Sequence, residues 1–149
     1  MAEVNVKTET IIHATAEKVF SYASNPDNAP EWYVNIKSVE WKTPKPLTVG
    51  SRIAFKAQFL GRQLAYVYEI KELIRNEKLV MRTADGPFPM ETTYLFEKVE
   101  AGTTRMILIN RGTPSGFSKL MSPFMSMAMR RANTKDLALI KQIIEEQNS

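Results

Sequence analysis

Chemistry-bearing residues are sparse in this chain, and no group of them forms a complete catalytic set. The single histidine, His13, closes a strand-like opening segment. A histidine-activated nucleophile would have to use it, and nothing near it in the sequence suggests such a pair. It reads as an ordinary strand-end residue at the surface. One histidine also excludes a multi-histidine metal site, and no carboxylate cluster has calcium-loop spacing. The chain has no cysteine, which removes disulfides and thiolate ligands. Its six glycines are scattered at turns, so no phosphate-binding loop is present. No metal and no nucleotide or other cofactor is expected.

The remaining candidates lie in the middle strands and the last helix. Glu69 and Glu91 could move protons only if an apolar cavity raised their pKa. They are weak catalytic candidates, and no catalytic residue is assigned. Strand parity groups Tyr66 and Tyr68, and with them Tyr94, on the apolar side, where rings with polar tips suit a pocket wall. Phe55 and Arg82 join them as candidate lining residues. Glu69 has the opposite parity unless a bulge shifts the register. Asp136 falls, at ~100° per residue, among Met129, Ile140 and Ile143 on the apolar side of a helix. A buried carboxylate is costly without a partner. Arg82, Arg105, Arg111 or a tyrosine hydroxyl could supply one. The residue then serves as a structural ion pair or as a polar anchor for a ligand.

Elements must position these side chains. Residues 3–13 alternate Val4, Val6, Thr8, Thr10 and Ile12 with polar residues and read as a strand. Thr15 is a helix N-cap with Glu17 in the first turn. Asn25-Pro26-Asp27 ends that helix, and a second short helix or turn covers residues 29–34. Six strands follow at 36–42, 53–59, 63–73, 79–84, 90–99 and 104–111. Short turns join them, at Gly61, Asn76, Gly86 and Gly102 among others, which makes an antiparallel meander. The chain ends in a helix that begins at Ser115 with a kink at Pro123, or at Ser122 with Pro123 in its first turn. From residue 124 to 146 it would span about 35 Å. Met125, Met129, Ala132, Ile140, Ile143 and Ile144 share one side.

The segment Phe117, Leu120, Met121, Phe124, Met125, Ala128 and Met129 is rich in Met and Phe. Such a stripe usually packs a core, each buried side chain stabilising by ~1.5–3 kcal/mol. Flexible, polarisable Met side chains also suit a surface that fits ligands of varied shape. The large apolar surface available within the chain is the preceding sheet. A curved sheet gripping a long helix can leave a cavity for a small hydrophobic molecule. Phe117, Met121, Phe124, Met125 and Met129 are therefore candidate ligand contacts. Trp32 caps the cavity mouth or packs the short helices onto the sheet.

Bulk properties agree with one soluble α+β domain over residues 1–149. The net charge of +4 comes from 20 basic and 16 acidic residues. Basic residues are interspersed with acids instead of forming a stripe with aromatic platforms, so nucleic-acid binding is not expected. The start lacks an apolar signal core, and no stretch approaches the ~18 apolar residues of a membrane span. A cytoplasmic location is expected, as monomer or homodimer.

The order strand, two short helices, six-stranded meander, long C-terminal helix resembles the helix-grip fold of the START-like (SRPBCC) superfamily. The segments Ile11-Ile12-His13-Ala14-Thr15-Ala16-Glu17-Lys18-Val19-Phe20, Asn28-Ala29-Pro30-Glu31-Trp32 and Tyr68-Glu69-Ile70 carry the likeness. Gly86-Pro87-Phe88-Pro89, Ala101-Gly102-Thr103-Thr104-Arg105 and Leu137-Ala138-Leu139-Ile140-Lys141 add to it. They look most like the bacterial polyketide cyclase/dehydrase-like branch. The resemblance implies a curved antiparallel sheet of about seven strands around the last helix, with a deep pocket between them. It implies a lipid, polyketide or other aromatic or isoprenoid-like ligand, held by a carrier or sensor. Two further readings stay open: a cyclase/dehydratase using cavity Tyr and Glu residues, and a co-chaperone-like interaction module with a large exposed apolar patch.

Overall fold

The computed structural model describes residues 4–59, 61–85, 89–112 and 122–147. Strand β1 (Val4–Ile12) is followed by α1 (Ala16–Ala23), a single 3-10 turn (Pro26–Asn28) and α2 (Ala29–Trp32). Strands β2 (Ile36–Trp41), β3 (Arg52–Phe59), β4 (Arg62–Ile74), β5 (Lys78–Asp85), β6 (Met90–Glu100) and β7 (Thr103–Gly112) come next. Helix α3 (Ser122–Gln147) ends the chain. The strands form one antiparallel sheet in the order β1-β7-β6-β5-β4-β3-β2. This is the helix-grip architecture, with the first strand brought back beside the last.

Local chemistry explains the boundaries. The Thr15 side chain accepts from Lys18 N and caps α1, and Asn25 Oδ1 accepts from Asp27 N to open the 3-10 turn. Asn76 takes φ 63° in the β4–β5 hairpin and Gly102 takes φ 74° in the β6–β7 hairpin, the left-handed backbone such tight turns require. Register shifts between Val67 and Tyr68, between Ile70 and Glu72, and between Lys98 and Glu100 bend the sheet.

The core lies between the inner face of the sheet and the helices. Val19, Tyr22 and Ala23 of α1, Trp32 of α2, and Leu137, Ile140 and Ile144 of α3 meet Ile12, Ile53, Phe55, Ile70, Leu79, Met81, Tyr94, Phe96, Met106 and Leu108. The buried stripe of α3 runs Asn133, Asp136, Leu137, Ile140, Ile144, at spacings of three and four. It is rotated slightly from the expected apolar side: Ala132 and Ile143 are its half-buried flanks. The expected choice between Ser115 and Ser122 as helix start concerns a stretch partly outside the described residues.

Helix α3 also covers the open edge of β1. Arg130 Nη1 donates to Lys7 O at 3.0 Å and Lys141 Nζ donates to Ile11 O at 2.6 Å. Unpaired edge carbonyls would otherwise be a template for another strand. Beside them, Glu145 accepts from the His13 backbone N–H and from Lys141 Nζ, and its Oε2 lies 2.8 Å from His13 Nδ1. His13 is an exposed strand-end residue, as its position suggested.

Candidate functional site

The inner face brings together most of the described residues singled out from sequence. Phe55, Tyr66 and Tyr94 are buried, and Trp32 is fully so. Phe55 and Tyr68 meet edge to face at 5.8 Å, and Tyr66 lies 5.9 Å from Tyr68. Trp32 packs against Tyr33 and Tyr94, centroids 4.0 and 5.7 Å away. Met129 packs with Tyr68 against a small cluster of Val4, Val6 and Met90. Phe124 and Met125 belong to α3, but their side chains are not among those described, and Phe117 and Met121 lie outside the described residues.

The polar groups of this face are linked. Tyr33 and Tyr94 share a hydroxyl–hydroxyl hydrogen bond of 2.6 Å. Thr92 Oγ1 donates to Asn110 Oδ1 at 2.8 Å, and Thr92 also neighbours the Tyr68 hydroxyl. Burial raises the pKa of all four tyrosines here, Tyr66 to about 12 and Tyr33, Tyr68 and Tyr94 further. They stay protonated near neutrality and act as hydrogen-bonding hydroxyls, not as bases.

Asp136 is 2% exposed, and its Oδ1 accepts from the backbone N–H of Val34 at 2.9 Å. Burial pushes its carboxyl up to about 7, against the opposing pull of the Val34 N–H. Its charge also raises the pKa of Tyr33 and Tyr94, so it belongs to the same neighbourhood. The expected arginine partner is not what holds it. Arg82 and Arg105 point to the other side of the sheet, where they pair with Glu91 and Glu97. A backbone donor at a helix end could not be picked out from residue types.

Arg82 corrects the expected lining, and the weak catalytic candidates Glu69 and Glu91 lie with it on the outer face. Cross-strand pairing sets Arg52 beside Glu69, Glu69 beside Arg82, Arg82 beside Glu91 and Glu91 beside Arg111. The result is a row of alternating charge across five strands on the outer face. Glu69 pairs with Arg52 at 3.0 Å and Lys71 at 2.7 Å, and Glu91 with Arg82 at 2.6 Å. Such opposite-charge neighbours favour strand pairing. The bulges on either side of Tyr68–Ile70 leave that stretch in register, so Glu69 keeps its outward parity. Lysine and arginine neighbours hold the Glu69 carboxyl below its ordinary range, the reverse of what proton transfer needs.

Sequence reasoning missed Tyr33, Thr92, Asn110 and Asn133. Tyr33 follows α2 directly, and its role depends on Tyr94, 61 positions away. Thr92 and Asn110 share the inward parity of Tyr94, which was the available signal. Asn133 is 5% exposed, three residues before Asp136 on the same helix.

A seven-stranded sheet closed over one long helix, with an aromatic and hydroxyl-rich inner face, defines a helix-grip protein. Residues 3–145 match the family described as polyketide cyclase/dehydrase and lipid transport, and the chain belongs to that family. Similar solved structures include TTHA0849 from Thermus thermophilus, at 19% identity and TM-score 0.83, covering 97% of this chain and 99% of that one. The Zhui aromatase/cyclase from Streptomyces sp. R1128 is similar at 11% identity and TM-score 0.83, over 99% and 96% of the two chains. A START superfamily protein from Mycobacterium smegmatis is similar at 12% identity and TM-score 0.83, over 96% and 98%. At these identities the likeness is one of fold. Among curated proteins no relative matches this chain. Among the described residues, no helix is long and apolar enough to cross a membrane.

Proposed function

We propose that this protein binds a small hydrophobic molecule, of lipid, polyketide or other aromatic or isoprenoid-like character, between the sheet and α3, as a carrier or sensor. The observation that carries the reading is the inner face: Phe55, Tyr66, Tyr68, Tyr94 and Trp32 on one side and the buried stripe of α3 on the other. Apolar walls with few polar groups are the usual make-up of a small-molecule site. The family description, which pairs cyclase/dehydrase with lipid transport, fits it. Native mass spectrometry and thermal-shift measurements across lipids, fatty alcohols, sterols and aromatic polyketides test it. Stoichiometric binding by one class supports the reading, and no binding across all classes sinks it.

A cyclase/dehydratase remains the second reading, favoured by one observation. Asp136, Tyr33 and Tyr94 gather a titratable carboxyl and two hydroxyls at one buried place. In that reading these residues, not Glu69 and Glu91, would handle protons on a carbonyl-rich substrate. Conversion of a linear polyketide analogue, abolished by Asp136→Asn, separates enzyme from carrier. The interaction-module reading has less support. The exposed large apolar residues Val34, Val49, Ile74, Val99 and Met127 are dispersed over the described structure instead of forming one element's face.

A further inference from the structure

Buried polar groups nearly always find hydrogen-bond partners, so an exception points to something that supplies one. The Asn133 side-chain amide nitrogen, Nδ2, is buried and has no partner. Its position on α3 is specific. Four residues earlier, Met129 packs against the small cluster of Val4, Val6 and Met90. Four residues later, Leu137 belongs to the main core with Tyr94 and Leu108. Asn133 thus stands where one apolar cluster gives way to the other.

The sheet shows the same division. Going along β6 and β7, the pair Met90–Gly112 adjoins Val4, the pair Thr92–Asn110 adjoins Val6, and the pair Tyr94–Leu108 adjoins Thr8. The middle row holds a polar pair, with Thr92 donating to Asn110, between apolar Met81 and Val6. The sheet thus carries a polar Thr92–Asn110 pair between the two apolar zones, both of which Tyr68 touches, and α3 carries a buried amide donor without a partner.

Charge narrows the ligand further. No lysine or arginine among the described residues is buried. The buried ionisable carboxyl of the interior, Asp136, lies one helical turn from Asn133. An anionic head would lose its water without gaining a buried cation among the described residues.

Resting on the carrier reading, we infer that the interior selects an uncharged ligand. This ligand is an apolar body with a hydrogen-bond acceptor of carbonyl or amide type partway along it, which takes the Asn133 Nδ2 donor, and carboxylate or phosphate heads are rejected. The apolar parts on either side occupy the Met129/Met90 zone and the Tyr94/Leu108 zone.

The test uses four probes of one chain length: an alkane, an internal ketone, a secondary amide and the fatty carboxylate. Affinities are measured by native mass spectrometry and calorimetry on the full chain at neutral pH. The ketone and amide are expected to bind about 10-fold more tightly than the carboxylate. Asn133→Leu is expected to lower ketone affinity about 5-fold, leave the alkane unchanged, and raise the melting temperature of the free protein by removing an unpaired buried donor. Asn133→Ser, which keeps a hydroxyl donor in a smaller side chain, should hold part of the ketone preference if the leucine variant folds poorly. Carboxylate binding as tight as the ketone, or equal loss of ketone and alkane in the Asn133 variants, overturns the inference while leaving the carrier reading intact. Failure of every probe, the alkane included, overturns both.

Discussion

The backbone N–H of Val34 donates to Asp136 Oδ1 at 2.9 Å, joining the residue just past Tyr33 to the last helix across 102 positions. This one bond satisfies a helix-end donor and gives a buried carboxyl its partner. It is weaker compensation than a cation, which is why the carboxyl rises from 3.8 to about 7.

A raised folded-state pKa means that folding favours the neutral acid. The stability associated with Asp136 is complete below the unfolded value near 4 and is lost as pH rises to about 7. The Asp136→Asn variant keeps an acceptor for Val34 and cannot ionise. It should match wild type near pH 4 and exceed it above pH 7 by at most on the order of 4 kcal/mol. Urea unfolding across that range measures the difference. Parallel stability curves for the two proteins would contradict the assignment. Ligand affinity lost in this variant without loss of melting temperature would mark Asp136 as an anchor.

The Tyr33–Tyr94 hydroxyl pair should behave as a unit. Tyr33→Phe or Tyr94→Phe leaves one buried hydroxyl alone and is expected to cost about 1–3 kcal/mol. The double variant should cost less than the two singles together, because no hydroxyl is orphaned. A double-mutant cycle by chemical denaturation reads this coupling. Strict additivity would show the bond to contribute nothing.

Glu145 ties α3 to the end of β1. The Lys141 ammonium and the His13 backbone N–H hold its carboxyl down to about 2. A depressed pKa gives stability that is present above the ordinary value of 4.5 and is lost as pH falls through about 2. Glu145→Gln should therefore melt below wild type at neutral pH and converge with it near pH 2. Hydrogen exchange at the last turn of α3 should speed up in the variant at neutral pH. Unchanged exchange there would remove Glu145 as the tie.

The outer charge row should be indifferent to ligand. Glu69→Gln and Glu91→Gln break ion pairs on a solvent-facing surface, where each is worth ~1 kcal/mol or less. Ligand affinity, and any turnover found, should stay within about 2-fold of wild type, a difference of under 1 kcal/mol. A larger loss would bring these carboxylates back as candidates.

Much of the fold was readable because its signals are local. Thr15 capping α1, the alternation of Val4, Val6 and Thr8, and the turns at Asn76 and Gly102 depend on neighbours a few positions away. Parity carried further than expected: it oriented Tyr66, Tyr68 and Tyr94 inward and Glu69 outward, since the bulges fall on either side of Tyr68–Ile70. The helical wheel found Asp136 on the buried side but left out Asn133 and Leu137, because small rotations at the edge of a stripe are set by packing.

The sequence by itself determined the elements, their order and most of the faces they bury, since periodicity and turn chemistry act within a few residues. Tertiary structure decided every pairing that gives those faces a purpose. It sent Arg82 to Glu91 instead of Asp136, set Tyr33 against Tyr94, and left Asn133 Nδ2 buried without a partner between two apolar clusters. Those outcomes depend on which strands lie beside one another and on where α3 crosses them, and such contacts between distant positions leave no mark in the local pattern of residues.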